Sequence, residues 1–153
     1  MTEIRFYHMQ TKTLEDTLPE IVEKALGRDY RAIIKTTTAD QATTLDELLW
    51  TYDSKQGGGS FIPHGAAPSD NAGDCPVWLT AENDNPNNAN LLILTHGATA
   101  EDVSGFALCC EMLDGRNDDA IAAGRERWKR YKDAGHDVSY FQQTPEGRWE
   151  KKA

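Results

Sequence analysis

The chain has 153 residues, of which 39% are hydrophobic and 27% charged, as in a single globular domain and unlike a disordered or disulfide-rich chain. No apolar run approaches the ~20 residues of a membrane span. The start of the chain lacks the basic and then apolar order of a signal peptide, so we expect a cytoplasmic protein without membrane contact. The formal net charge of -9 disfavours direct DNA binding by the molecule as a whole.

Strands and helices are predicted to alternate along the chain. β-forming residues that alternate in polarity, or form short apolar runs, predict strands over residues 3–8, 30–35, 76–80 and 91–94. Apolar residues at helical spacing predict helices over residues 14–26, about 39–51, about 100–113 and about 118–134. Residues 138–141 could pair at a sheet edge. This order predicts a three-layer α/β fold with a largely parallel central sheet.

A stretch rich in glycine and proline interrupts the alternation at residues 55–76. Such residues favour turns over regular periodicity, so we expect a loop insertion around a short Phe61-Ile62 strand. A flexible segment inside a βα array does not require a domain boundary. One domain over residues 1–153 is therefore expected.

The cysteines and histidines do not form a recognisable metal or redox motif. Cys75, Cys109 and Cys110 lack CxxC spacing, and we interpret them as packing residues. The four histidines include no HxxxH or HExxH arrangement. We expect neither a metal nor a cofactor.

Enzymatic function has only weak support in the sequence. The turn after the first strand contains no glycine, and GxGxxG, GxxxxGK[ST] and GxSxG are all absent. His96 follows a predicted central strand, where it could act as a general base oriented by Glu101 or Asp102. The alternative function is a small hydrolase or nucleotide-handling enzyme that uses His96 or His64. The competing interpretation is that both histidines simply lie in turns and have no catalytic role.

A basic helix near the C-terminus is the most informative segment. Residues 125–153 contain eight Lys or Arg and five Asp or Glu, so their formal charge is +3 and that of residues 1–124 is -12. At 100° per residue, Arg125, Lys129 and Lys132 lie along one edge of a stripe that includes Trp128. Three cations beside an indole suit a peptide with carboxylates and an apolar anchor. There are two alternatives: the helix has an ordinary solvated basic face, or it binds single-stranded DNA directly.

Two motifs and several shorter segments of the sequence match the pattern of a known protein family over nearly the whole chain. The combination of an LDExLW motif followed by an SFxPH motif is the most specific part of this likeness. The matching segments are Phe6-Tyr7, Leu45-Asp46-Glu47-Leu48-Leu49-Trp50, Ser60-Phe61-Ile62-Pro63-His64-Gly65, Pro76-Val77, Leu91 to Leu94, and Arg125-Glu126-Arg127-Trp128-Lys129. Through these segments the sequence resembles the chi subunit family of the bacterial DNA polymerase III holoenzyme. The resemblance implies a Rossmann-like α/β domain without a phosphate-binding glycine loop and without nucleotide chemistry.

The resemblance also implies a non-catalytic replication adaptor. Such a protein binds the acidic C-terminal tail of single-stranded-DNA-binding protein and connects it to the clamp loader through a second subunit, psi; its contact with DNA is indirect. The tail-binding residues implied by the family motif are Arg125, Trp128, Lys129 and Lys132, whereas a further family lysine position is occupied by Ile121. The residues implied to face psi or the clamp loader are Trp50, Phe61, Pro63 and His64. For Trp50 and Phe61, core packing is the alternative.

Overall fold

The computed structural model describes residues 2–51, 64–66, 72–83, 85–100 and 103–152. In these ranges, the strands are β1 (Glu3–Met9), β2 (Ala32–Lys35), β3 (His64–Ala66), β4 (Val77–Thr80), β5 (Leu91–Leu94), β6 (Leu108–Asp114), β7 (Asp137–Gln143) and β8 (Trp149–Lys151). The helices are α1 (Leu14–Gly27), α2 (Ala39–Thr51) and α3 (Asp118–Asp133), with a short 3-10 turn at Ala72–Asp74. The predicted Phe61-Ile62 strand and the Gly57-Gly58-Gly59 stretch lie outside the described residues.

The strands form one sheet in the order β3-β4-β2-β5-β6-β1-β7-β8. Every neighbouring pair is parallel except β7 and β8, which are antiparallel. The prediction of an α/β fold with a mostly parallel sheet is therefore confirmed. β7 does not lie at the edge of the sheet, because β8 pairs with its outer side.

Helices cover both faces of this sheet. On one face, α1 and α2 bury Leu18, Val22, Leu45 and Leu49 against sheet residues such as Ile34. On the other face, the half-buried Trp128 and Tyr131 of α3 pack on Ile4, Phe6 and Leu113. The arrangement has the three predicted layers and places α3 over β1, β6 and β7.

The helix predicted over residues 100–113 is wrong, because residues 108–113 form most of strand β6 and the other described residues of this range lie in turns and irregular structure. β6 lies between β5 and β1, and both of its faces are covered. Cys110 and Met112 contact the core beneath α1 and α2, whereas Cys109 and Leu113 contact the core beneath α3. β6 is apolar up to Leu113 except for Glu111, and periodicity alone does not distinguish such a nearly continuous apolar run from a buried helix.

The three cysteines are buried and unlinked. Burial raises the pKa of the Cys110 thiol to about 12 and raises that of Cys109 as well. Thiols that stay protonated are poor nucleophiles and poor metal ligands. Their surroundings therefore agree with the packing role predicted for them.

Candidate functional site

The sequence at both ends of α3 explains where this helix begins and ends. Asn117 caps the first turn, because its side-chain oxygen accepts the backbone N–H of Asp119 at 3.0 Å and of Ala120 at 3.2 Å. Acidic residues lie in the first turn and basic residues in the last, which complements the helix dipole. Gly135 follows the helix with φ +88°, a conformation that glycine adopts without steric cost. These end signals fix the position at which the helix presents its basic residues.

An aromatic cluster forms the floor beneath the basic edge of α3. The Trp128 ring lies 5.6 Å from the buried Phe6 ring in an edge-to-face arrangement and 5.9 Å from the Tyr140 ring. Tyr140 in turn stacks on Phe6 with a centroid separation of 6.2 Å. Such contacts hold the half-buried indole in one orientation, so Trp128 can act as one wall of a shallow apolar site.

Exposed cationic side chains lie on the same helix as this indole, and one of them lies over its ring. Arg125, Lys129 and Lys132 are exposed, and the Lys132 Nζ lies 5.0 Å from the centre of the Trp128 ring. Within the part of the chain that the structure describes, no carboxylate pairs with any of the three. The structure thus places the four residues predicted from the sequence on one helix and leaves the three cations without an ion pair to any described residue. We call these four residues the basic edge.

Two further residues of this site, His8 and Tyr140, were not among the sequence-predicted site residues. Their side chains form a hydrogen bond between the His8 Nδ1 and the Tyr140 hydroxyl. Burial lowers the pKa of His8, and the positive charge of Arg125 lowers it further. Burial raises the pKa of Tyr140, and Arg125 opposes that shift. The charge of Arg125 therefore affects both groups. His8 could have been found from the sequence, because alternate residues of a strand share a face and His8 follows Phe6 by two positions in β1.

The arginine between Arg125 and Trp128 has a different environment. Arg127 is 5% exposed, and its Nε donates to the Glu111 Oε2 at 2.8 Å. The Tyr131 hydroxyl donates to the same oxygen at 2.8 Å. Burial raises the pKa of Glu111, and the charge of Arg127 opposes this rise. Arg127 thus fastens α3 to β6 and is not available to a partner.

A second candidate surface lies at the end of α2. Trp50 is 58% exposed, although most tryptophans are largely buried. The Trp50 ring lies 4.9 Å from the buried imidazole of His64. Core packing is therefore not the role of Trp50. Phe61 and Pro63, the other residues predicted for this surface, lie outside the described residues.

Comparison with known proteins places this chain in a family. A sequence profile described as DNA polymerase III chi subunit, HolC, matches residues 1–139. The chain belongs to the DNA polymerase III chi subunit family. A protein of Rickettsia prowazekii (strain Madrid E), named Probable DNA polymerase III subunit chi, is 32% identical to it over 94 residues, or 61% of this chain. The matched part covers 54% of that relative, about half of its length.

Membership of the chi family makes this chain similar to accessory subunits of a DNA polymerase complex, and the fold agrees with the Rossmann-like domain that the resemblance implied. No helix in the described ranges is long and apolar enough to cross a membrane. Among the same residues, no group of three or more His, Cys, Asp or Glu could hold a metal ion. The profile match does not assign a role to any single residue.

In this chi-family chain, the loop after β1 already has its backbone donors satisfied. The amides of Gln10, Thr11 and Lys12 lie 3.1, 2.9 and 2.9 Å from the Oε1 of Gln143, which accepts from all three. In nucleotide-binding α/β folds, amides at this turn bind phosphate. Here a side chain from β7 fills that position, which gives a physical reason for the missing glycine motif.

The His64 arrangement does not support a general base. Its Nε2 lies 3.0 Å from the Asp46 Oδ1 and 3.1 Å from the Asp46 carbonyl oxygen. Both oxygens are acceptors, so this nitrogen carries a proton and donates. The contact attaches β3 to α2 beside Trp50. A carboxylate in this position can orient an imidazole whose other nitrogen acts as the base, but the His64 side chain has no solvent exposure, so it does not reach a substrate.

His96 lies at a cavity, and no described carboxylate forms a hydrogen bond with its ring. Burial lowers the pKa of His96, and the charge of Glu15, which lines the same cavity, opposes this shift. The cavity has a volume of about 670 Å³ and is situated at the carboxyl ends of β1, β5 and β6. His96 adopts φ 56° in a turn, as the alternative to a catalytic role predicted, and its Nδ1 lies 3.0 Å from the Thr95 hydroxyl oxygen. That hydroxyl donates to the Lys35 carbonyl oxygen at 2.9 Å, so it accepts from His96. Glu101 and Asp102 lie outside the described residues.

Proposed function

We propose that this chain is a non-catalytic adaptor of DNA polymerase III that binds the acidic C-terminal tail of single-stranded-DNA-binding protein at the basic edge. The observation that carries the proposal is the set of exposed cations around Trp128, which meets no carboxylate within the described residues. Tail carboxylates would contact Arg125 and Lys129, while an apolar tail residue would pack beside Trp128 and Tyr140. An overall charge of -9 would repel parts of the tail that leave this edge, which favours a small footprint.

The position that holds lysine in the family pattern is Ile121 in this chain. Ile121 is half-buried and lies one helical turn before Arg125. It contributes apolar surface instead of charge, so Arg125, Lys129 and Lys132 supply the cations of the proposed site. We therefore expect binding to depend strongly on Arg125.

Titration with a synthetic acidic tail peptide tests this site. A charge-assisted contact contributes about 1.5–3 kcal/mol, so Arg125→Ala should weaken binding by roughly ten- to a hundredfold. Arg148→Ala removes an exposed arginine from the turn between β7 and β8 and serves as the matched control. Equal affinities for wild type and Arg125→Ala would remove Arg125 from the site, and an absence of binding by either protein would refute the adaptor function.

The second part of the proposal is a link to the clamp loader through psi at the Trp50 surface. The resemblance implies Trp50, Phe61, Pro63 and His64 for this contact, and the exposure of Trp50 supports it. His64 itself is buried against the Trp50 ring, so it would support the contact from below and not touch the partner. An exposed indole on a buried ring is typical of the anchors that dominate protein interfaces. Copurification of a tagged psi protein with wild type and with Trp50→Ala tests the link. Equal recovery would exclude Trp50, while unchanged unfolding of the variant would show that the fold is intact.

A further inference from the structure

A second pocket lies on the face of the sheet opposite α3. It occupies about 200 Å³ between the last turns of α1 and the amino ends of β5 and β6. Leu91, Leu108 and Cys110 line its apolar floor, together with Ile21 and Ala25 of α1. This pocket, which we call the α1 pocket, shares none of its lining residues with the basic edge.

The wall of the α1 pocket is aromatic. Tyr7, Tyr30 and Trp149 line it, and the Tyr7 and Trp149 rings meet edge to face at 5.0 Å. Phe141 stacks on Tyr7 from β7 at 5.5 Å, which supports the wall from behind. Trp149 lies beyond residue 139, where the family profile match ends. The strand β8 therefore adds a wall that the matched part of the chain does not contain.

The rim of the α1 pocket is cationic in a chain whose net charge is -9. Arg5, Lys24 and Arg28 line it. Arg5 is paired with Glu3, whereas Lys24 and Arg28 have no ion pair with any described residue. Both are exposed and lie one turn apart at the end of α1, so two uncompensated charges border an apolar cavity.

We propose that the α1 pocket binds the C-terminal residue of a peptide partner. An aromatic or branched aliphatic side chain would contact the apolar floor, and the terminal carboxylate would lie beside Lys24 and Arg28. A nucleobase fits this floor less well, because its polar edges would be buried against Leu91 and Leu108 without hydrogen-bond partners. The volume of about 200 Å³ suits one side chain rather than a longer segment.

The indole N–H signals of Trp128 and Trp149 allow both sites to be followed in one NMR titration. N-acetyl-phenylalanine is the probe for the α1 pocket, and N-acetyl-phenylalaninamide is its control, because it keeps the ring and lacks the carboxylate. Trp→Phe variants assign the two signals. We expect the acid to shift the Trp149 signal and the amide to shift it several-fold less at equal concentration. Equal shifts with the two compounds, or none with the acid, would overturn the proposal.

Charge removal at the rim provides a second test. Lys24→Ala combined with Arg28→Ala should weaken binding of the acid at Trp149 by roughly three- to tenfold and leave the fold intact, since both side chains are exposed. Arg116→Ala removes an exposed arginine from the turn after the carboxyl end of β6. It is the matched control and should have no effect. Equal weakening by the control, or stronger binding of a single-stranded oligonucleotide at Trp149, would contradict the proposal. Failure at Trp149 would leave the tail-binding test at Arg125 unaffected.

Discussion

Two regions of the molecule present positively polarised or charged groups that could bind an anion. In one of them, these groups are already hydrogen-bonded to another side chain of the same protein. In the loop after β1, the amides of Gln10, Thr11 and Lys12 converge on the Gln143 side-chain oxygen. At the basic edge, Arg125 and its neighbours meet no described carboxylate. The first region is therefore closed to a ligand, although it has the location of a phosphate site, and the second is open.

The same contrast exists within α3, between arginines only two positions apart. Arg125 is exposed, whereas Arg127 is 5% exposed and bonded to Glu111. Residues two apart on a helix differ by 200° in direction, so one arginine faces solvent and the other faces the sheet. A positive residue is thus a candidate for binding only where the fold does not already supply its counter-ion.

The largest expected effect comes from breaking the internal pair. Arg127→Ala should lower the free energy of unfolding by about 3–5 kcal/mol, because it leaves the Glu111 carboxylate buried without its cation. Arg125→Ala should change the free energy of unfolding by less than about 0.5 kcal/mol, because its side chain is exposed and has no described ion pair. Urea unfolding followed by circular dichroism measures both values.

A second substitution separates loss of charge pairing from loss of packing at Arg127. Adding Glu111→Gln to Arg127→Ala removes the unpaired carboxylate and keeps a hydrogen-bonding group near Tyr131. The double variant should therefore recover part of the lost stability. If Arg127→Ala proves as mild as Arg125→Ala, the distinction between the two arginines does not hold.

The sequence predicted the fold class because several elements have a clear signal, either helical periodicity or a short apolar run of the length of a strand. The predicted helix over residues 14–26 corresponds to α1, and the apolar run at residues 91–94 forms the central strand β5. The run that forms β6 was misassigned because burial on both faces removes the alternation that marks a strand. The antiparallel strand β8 was not predicted, since Trp149–Lys151 is short and mostly polar.

The basic edge could be predicted in part, because its four residues belong to one helix and helical spacing aligns them. His8 and Tyr140 complete its floor from two other elements, β1 and β7, and only the register of the sheet places them together. The exposure of Trp50 was also beyond sequence reasoning, since a tryptophan in an apolar helix face is compatible with core packing. Contacts between distant parts of the chain account for what was missed.

An intermediate effect is expected from opening the closed region. Gln143→Ala should lower the free energy of unfolding by about 1–3 kcal/mol, because three loop amides lose their common acceptor. Gln143→Glu should keep most or all of the stability, since a carboxylate accepts the same hydrogen bonds. Hydrogen exchange at Gln10, Thr11 and Lys12 should accelerate in the alanine variant only. Unchanged exchange there would show that Gln143 does not protect the loop.

The smallest effect concerns the charge of Arg125 at its neighbour His8. The pKa of His8 lies below its ordinary value of 6.5 in the folded chain, chiefly through burial; a hydrogen bond with the Gly115 backbone opposes this shift, and the charge of Arg125 adds to it. Between that lowered pKa and pH 6.5, His8 is therefore more often protonated in the unfolded chain than in the folded chain. Protonation of His8 therefore favours the unfolded chain. The free energy of unfolding is unaffected by His8 above pH 6.5 and decreases as the pH falls from there toward the lowered pKa.

Arg125→Ala should move the pKa of His8 upward, toward 6.5, and Arg125→Lys should move it less because it keeps the charge. NMR titration of the His8 ring protons measures the shift, and added salt should reduce the difference between the two variants. Identical titrations for wild type and Arg125→Ala would place the guanidinium outside the reach of His8. The same signal should respond to a bound acidic peptide, since carboxylates that neutralise Arg125 remove the same charge from the neighbourhood of His8.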